Sequence, residues 1–208
     1  MSAPQIQPQS RAIASSLVTQ TLLLPTPSQW VDAVLGDFDH FLQDHAANER
    51  KASTMAMSMV AHYPDRPELV TAMVDLALEE LNHFRQVLRL MNQRGVILAA
   101  DKKDPYVNAI LRQVRKGSAE YFIDRLLSAA MIEARGAERF ALLAGANLPL
   151  EIQGFYQTLA RSEANHHQLF IHLAQQYFSA AQVAERLQDW RQIEADAMTA
   201  LEFRPCLH

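Results

Sequence analysis

Glu80-Leu81-Asn82-His83 and Glu163-Ala164-Asn165-His166 repeat one spacing, in which a carboxylate is followed three residues later by an imidazole. On a helix, residues three apart lie on the same face, so each pair can bind one metal ion. Each pair also follows a lone glutamate at a similar distance: Glu49 lies 31 residues before Glu80, and Glu133 lies 30 residues before Glu163. The chain therefore contains the same candidate half-site twice.

This arrangement is typical of helical bundles that bind two iron or manganese ions, in which two helices each supply one Glu and two others each supply Glu-x-x-His. Four carboxylates neutralise two divalent metals, and two histidines add neutral nitrogen ligands. One Glu-x-x-His match means little by itself, but two matches on strong helices, each preceded by a glutamate on another strong helix, are hard to obtain by chance. The predicted metal ligands are Glu49, Glu80, His83, Glu133, Glu163 and His166.

Helix signals divide the rest of the chain. Thr26-Pro27 predicts a helix that runs to about His62, and Asp65-Arg66-Pro67 predicts another that runs to about Arg94. Similar signals predict helices over about 105–116, 118–144, 149–178 and 180–200, while strand signals are nearly absent. The long connection over 95–117 suits the crossover of ferritin-like bundles. The predicted fold is all-α, a ferritin-like four-helix bundle with a long crossover and extra helices.

Composition indicates one soluble domain. The chain has 208 residues, of which 49% are hydrophobic and 20% charged, and no linker divides it. Residues 1–25, interrupted by prolines, are predicted to form a tail, and residues 26–208 the domain. The lone Cys206 excludes a disulfide framework or a Cys-rich metal site. With neither a secretory signal nor a membrane-spanning stretch, we expect a cytoplasmic protein that makes no membrane contact.

Other acidic and imidazole side chains are weaker candidates. Glu79 could orient a metal-bound histidine, but exposure to solvent is the more common fate of such a residue. His167 points about 100° away from His166 on a helix, which favours a surface or core role. Glu138 falls on a different face from Glu133. The histidines expected to be structural are His40, His45, His62 and His172.

Four stretches of the sequence resemble one family, the MiaE-type tRNA hydroxylases, which are non-haem di-iron monooxygenases. The resemblance extends over about residues 27–203, and its most specific element is the Ile-Glu-Ala-Arg…Glu-Arg-Phe pattern of the third stretch. Members of this family tend to carry Cys before the first glutamate, where this chain has Asn48. The four stretches are 44–52, 79–84, 131–140 and 161–166.

The resemblance implies a substrate and a reaction. The substrate would be tRNA carrying a prenylated adenosine, usually 2-methylthio-N6-isopentenyladenosine, next to the anticodon. Its isopentenyl group would be hydroxylated with dioxygen and two electrons from an unidentified donor, at a centre of two iron ions held by the six predicted ligands. Because the net charge is −4, contact with RNA requires a local basic patch. The candidates are Lys102, Lys103, Arg112, Arg115 and Lys116 in the crossover, with Arg85, Arg89 and Arg94 on the second long helix.

Three alternatives share parts of this pattern. Another ferritin-like oxidase, peroxidase or di-manganese catalase would use the same six ligands on small molecules. An iron-storage protein would need to assemble into a shell. A metal-free helical interaction module would carry the Glu and His residues only as helix decoration. Metal content, dependence on RNA and molecular size distinguish these alternatives.

Overall fold

The computed structural model describes residues 21–208, and no strand occurs within that range. The prediction of an all-α chain is therefore confirmed. The helices are Ser28–Gly36 (α1), Phe38–His62 (α2), Pro67–Gln93 (α3), Pro105–Leu111 (α4), Ser118–Ala144 (α5), Leu150–Tyr177 (α6) and Ala180–Thr199 (α7).

The first predicted helix is divided at Asp37. The sequence signals predicted one segment up to about His62, whereas α1 ends at Gly36 and α2 begins at Phe38. The side chain of Asp37 accepts a hydrogen bond from the backbone N–H of His40 at 3.1 Å. An aspartate in this N-cap position satisfies a free donor of the new helix and favours a fresh start there. The prediction of one continuous helix was wrong because it overlooked this cap.

Proline and aspartate fix the next helix starts, as predicted. Pro67 begins α3 and Pro105 begins α4, where the Asp104 side chain accepts a hydrogen bond from the Val107 backbone N–H. The end of α4 was predicted at about residue 116, but the helix stops at Leu111. A few residues further on, the Arg115 backbone N–H donates to the Asp124 carboxylate at 2.9 Å instead of continuing the helical ladder.

The described residues form two compact units. The first comprises Ser28–Lys103 with Phe203–Leu207, and the second comprises residues 21–27, Asp104–Glu202 and His208. Each unit contains two long helices that pack along their length, α2 with α3 in the first and α5 with α6 in the second. Short connections make the helices of each pair antiparallel neighbours. Each predicted half-site therefore lies on one helical hairpin.

In the first unit, the segment of residues 96–103 is attached to α2 by side chains of that helix. Gln43 donates to the backbone carbonyl of Ile97 at 2.8 Å, and Lys51 donates to the carbonyl of Lys102 at 2.9 Å. Arg50 forms an ion pair with Asp101. Two of these three attachments end on backbone carbonyls.

In the second unit, a buried arginine joins three parts of the chain. Arg135 of α5 binds both carboxylate oxygens of Glu194 on α7, at 2.8 and 3.0 Å. Its remaining donors reach Glu138 at 2.5 Å, the Thr26 hydroxyl at 3.0 Å and the Leu24 carbonyl at 2.9 Å. A guanidinium has five N–H donors, and these five hydrogen bonds match that number. The segment before α1 is thereby attached to α5.

Asp124 forms a second buried ionic cluster in the same unit. Its carboxylate accepts from Arg186 at 2.7 and 2.9 Å and from the Arg115 side chain at 2.9 and 3.0 Å. Burial acts to raise the pKa of Asp124, but the hydrogen bonds from Arg186 and Arg115 outweigh it and lower the pKa below its usual 3.8. The carboxylate is therefore ionised at neutral pH and stabilises the folded chain.

We expect Asp124→Asn to lower the free energy of unfolding by about 2–3 kcal/mol at pH 7, because hydrogen bonds to a charged group are removed. The pKa of Asp124 is lower in the folded chain than its ordinary value of 3.8, which applies to the unfolded chain. The stability advantage of the wild type is therefore fully present above about pH 3.8 and is lost as the pH falls through the lower, folded-state pKa. Urea unfolding followed by circular dichroism at pH 7 and below pH 4 measures both effects.

Asp189→Asn is the matched control, since Asp189 binds the same Arg186 at 3.0 Å but is 56% exposed. An exposed ion pair contributes about 0–1 kcal/mol. Equal losses for the two variants, or a gap between Asp124→Asn and wild type that stays constant in acid, would contradict the assignment.

The predicted N-terminal tail falls only partly within the described range: residues 1–20 lie outside it, while residues 21–25 lie within it. Among the described residues, no helix has the length and apolar character required to cross a bilayer.

Candidate metal-binding site

The hairpin of α2 and α3 brings Glu49, Glu80 and His83 together. Each of the three offers a ligand atom, and these atoms lie within 4.8 Å of one another. The His83 Nδ1 atom lies 3.3 Å from Glu80 Oε2 and 3.6 Å from Glu49 Oε2. All three side chains are buried. The three-residue spacing places Glu80 and His83 on one face of α3, and the packing of α3 against α2 brings that face to Glu49.

The hairpin of α5 and α6 repeats this geometry with Glu133, Glu163 and His166. Their ligand atoms also lie within 4.8 Å of one another, and all three side chains are buried. The His166 Nδ1 atom lies 3.5 Å from Glu163 Oε2 and 3.8 Å from Glu133 Oε2. In each hairpin, therefore, the Nδ1 atom of the histidine lies near both glutamate carboxylates of its own group.

The donor chemistry of these groups fits a metal ion. Two buried carboxylates and one imidazole form an oxygen and nitrogen set of the kind that binds iron or manganese. Burial raises the pKa of Glu49, although the hydrogen bonds from His45 and His83 oppose it. For the imidazole of His83, burial acts in the opposite direction and lowers the pKa. The hydrogen bonds and charges of Glu49 and Glu80 outweigh this effect and raise the pKa of His83 to about 9. The carboxylates thus favour a positive charge beside them, and a bound metal would displace the proton.

His45 is the residue near the site that the sequence analysis missed. It was expected to be structural, but its Nε2 atom lies 2.7 Å from Glu49 Oε1, and both side chains are buried. The available signal was the spacing of one helical turn between His45 and Glu49.

The weaker candidates have other surroundings. Glu79 is 50% exposed, with its Oε1 atom 3.9 Å from His83 Nε2. His167 is buried and its Nδ1 atom lies 2.8 Å from the Ala130 carbonyl, a core role that agrees with the prediction. Glu138 accepts hydrogen bonds from Thr26 and Arg135.

The basic residues proposed for RNA contact differ in their surroundings. Lys102, Lys103, Arg112 and Lys116 are exposed. The Arg115 guanidinium is bound to Asp124. On α3, Arg85 donates to Asn82, Arg94 pairs with Asp39 at 2.7 Å, and Arg89 is exposed.

The sequence is similar to one known protein family and to two curated proteins. The sequence matches the family described as tRNA-(MS[2]IO[6]A)-hydroxylase (MiaE) over residues 13–208. A relative from Pseudomonas putida, named tRNA 2-(methylsulfanyl)-N(6)-isopentenyladenosine(37) hydroxylase, is 41% identical over 160 residues, which are 77% of this chain and 78% of the relative. A relative of the same name from Salmonella typhimurium is 37% identical over 163 residues, 77% of this chain and 59% of the relative.

A solved structure resembles the fold. The protein, described as Protein 43 with aldehyde deformylating oxygenase activity from Synechococcus, aligns with a TM-score of 0.84 and 37% identity, over 88% of this chain and 92% of its own. The predicted ferritin-like fold is confirmed. Because the family match covers nearly the whole sequence, the chain belongs to the MiaE family of tRNA hydroxylases.

Proposed function

We propose that this protein hydroxylates the isopentenyl side chain of 2-methylthio-N6-isopentenyladenosine next to the anticodon of tRNA. The observation that carries the proposal is the family match over residues 13–208 in a chain that repeats a buried Glu and Glu-x-x-His group. Both curated relatives are named for a hydroxylase of this nucleoside. The reaction converts one C–H bond, dioxygen, two electrons and two protons into one C–OH group and water.

Two irons are the cofactor that we propose. Glu49, Glu80 and His83 would hold one, and Glu133, Glu163 and His166 the other. Two irons held in this way would supply the binding site for dioxygen and the electrons that reduce it, with replenishment from an external donor. The four carboxylates neutralise the metal charge, and the imidazoles bind without adding charge. All six side chains are buried, which limits the access of water and would limit side reactions at the site.

A nucleobase must leave its stack to approach buried ligands. Enzymes that act on bases commonly extrude the target nucleotide or use single-stranded substrates, and an anticodon loop is already single-stranded. We therefore infer that tRNA binds through phosphate contacts outside the ligand groups, while the prenyl chain alone enters. With tRNA as its substrate, the protein would act in the cytoplasm.

The decisive experiment combines metal analysis with product analysis. The purified protein is assayed for iron, reduced, and exposed to dioxygen with isopentenyl-modified tRNA, and the nucleosides are then analysed by mass spectrometry. We expect about two irons per chain, as in other two-metal sites, and a gain of one oxygen on the modified adenosine. A parallel incubation with an aldehyde tests the activity named for the solved structure. Aldehyde conversion without tRNA oxidation would assign the chain to a small-molecule oxygenase.

If the exposed basic residues bind tRNA phosphates, binding should weaken steeply as salt increases. We expect Lys102→Gln combined with Lys103→Gln to reduce the slope of log K against log salt by about one for each phosphate that is no longer neutralised. The pair Arg112→Gln and Lys116→Gln is measured separately. Fluorescence anisotropy with labelled tRNA over a salt series gives each slope.

Arg161→Gln, an exposed arginine of α6, is the control for a general change in charge. If the wild type binds tRNA with an affinity that does not depend on salt, none of the four basic residues contacts phosphate. Equal changes in the control would attribute the effect to net charge.

A further inference from the structure

His45 contacts one oxygen of the proposed iron ligand Glu49. Its Nε2 atom lies 2.7 Å from Glu49 Oε1, one helical turn away on α2. The exposed fraction is 0% for the His45 side chain and 4% for Glu49. A hydrogen bond of this length between buried groups fixes the orientation of the carboxylate.

The two oxygens of Glu49 have different neighbours. Oε1 faces His45, whereas Oε2 lies 3.6 Å from the Nδ1 atom of His83, which belongs to the same proposed iron site. A metal-bound glutamate is ionised and can only accept hydrogen bonds, so His45 would donate through its Nε2–H group. With Oε1 engaged by His45, Oε2 is the oxygen of Glu49 that would be available to a metal.

Aromatic packing holds the His45 ring in place. Phe41, one turn earlier on α2, has its ring centroid 5.7 Å from that of His45 at an interplanar angle of 34°. Trp30 meets Phe41 edge-on at 6.1 Å, and Phe38 stacks on it at 5.9 Å. A side chain whose rotamer is fixed by packing can orient its neighbour with little loss of conformational entropy.

The second half-site has no equivalent histidine in its sequence. His45 lies four residues before Glu49, and the corresponding position before Glu133 is Ala129. Alanine has no side-chain donor. The two repeats therefore carry the same predicted ligands but differ at this one supporting position.

We propose that His45 is a positioning residue that holds Glu49 for metal binding through Oε2 and makes the two metal positions unequal in affinity. This inference rests on the proposed function, because it requires Glu49 to be a ligand. Groups that hydrogen-bond to a metal ligand fix its orientation and tune its basicity. The metal held by Glu49, Glu80 and His83 therefore depends on His45, whereas the other metal does not.

A matched pair of substitutions tests this role. In His45→Gln, the amide nitrogen can occupy the place of Nε2 and still donate to Glu49, whereas the shorter amide of His45→Asn reaches only the place of Nδ1. Metal-free full-length protein is titrated anaerobically with ferrous iron against a competing chelator to obtain two dissociation constants. We expect His45→Asn to weaken one of the two binding steps by about 10- to 100-fold, and His45→Gln to restore most of that loss.

His62→Gln is the control, because His62 is an exposed histidine of the same helix. Thermal unfolding of the metal-free variants separates positioning from folding. Equal melting temperatures for the Asn and Gln variants, with unequal iron affinity, would support the proposal. Iron affinities that simply follow the melting temperatures would reduce His45 to a structural role and overturn it.

Three further results would also overturn the proposal, each in a recognisable way. Unchanged iron binding in His45→Asn would show that Glu49 needs no support. Complete loss of one iron in both variants would make His45 a ligand. If the wild type binds no iron at all, the proposed function fails together with this inference. If the wild type binds two irons and only the expected effect of His45→Asn is missing, the inference about His45 fails and the proposed function stands.

Discussion

Glu163→Gln should abolish hydroxylation and, at the same time, stabilise the metal-free protein. Loss of a supporting group beyond the ligands costs about 10- to 100-fold, so loss of a ligand itself should cost more than about 100-fold in activity. Without metal, Glu163 is a buried carboxylate close to Glu133, an arrangement that opposes folding. A neutral amide removes that charge, and we expect an increase on the order of 1 kcal/mol in the free energy of unfolding.

Iron content, product yield and urea unfolding of the metal-free variant are measured together. Glu151→Gln on the same helix is the control, because Glu151 is exposed and should change none of the three. A metal-free helical interaction module would show no link between iron and activity. Full activity in Glu163→Gln would remove this residue from the site.

The second large effect is expected at Arg135. Removing one partner of a buried ion pair leaves an uncompensated charge and costs about 3–5 kcal/mol. Arg135→Met would leave buried Glu194 without its bidentate partner, and the hydroxyl of Tyr106, 3.0 Å from Glu194 Oε1, cannot replace that charge. Urea unfolding of Arg135→Met should therefore show one of the largest losses of stability in the chain.

A double-mutant cycle identifies the cause. Glu194→Leu combined with Arg135→Met should be more stable than the sum of the single losses predicts, because neither charge then remains buried alone. Arg125→Met is the control on the same helix; Arg125 lies over the ring of Tyr121 at 5.8 Å, an interaction of about 0.5–1 kcal/mol. Additive losses would show that Arg135 and Glu194 act independently.

Local patterns in the sequence predicted much of the fold and the Glu and His residues that the structure gathers into two buried groups, whose role as metal ligands stays a prediction. Spacing of three residues placed Glu80 and His83 on one face of α3, because helical geometry is the same wherever a helix forms. Proline gave the starts of α3 and α4 for a similarly local reason. The pairing of Glu80 with Glu49 followed from analogy with repeated metal-binding hairpins rather than from either residue alone.

Interactions that depend on tertiary structure could not be predicted in this way. Arg135 and Glu194 are separated by 59 residues, and no periodicity connects them. The early end of α4 was not predicted either: beyond that end, the Arg115 backbone N–H bonds to Asp124 instead of to a helical carbonyl. His45 is a different case, because it lies only four residues from Glu49 on the same helix. It was not predicted because the site was recognised from residues that occur in both repeats, and this histidine occurs in only one of them.

The attachment of residues 96–103 affects how this part of the sequence can change. Gln43 and Lys51 bind the carbonyls of Ile97 and Lys102, and a carbonyl is present whatever side chain a residue carries. Only the pair of Arg50 and Asp101 depends on the identity of a residue in the segment. The path of this segment is thus encoded largely in α2. Substitutions in the segment should therefore leave two of its three attachments in place as long as α2 retains the donors, so the proposed tRNA contacts of Lys102 and Lys103 can be altered without moving the backbone that carries them.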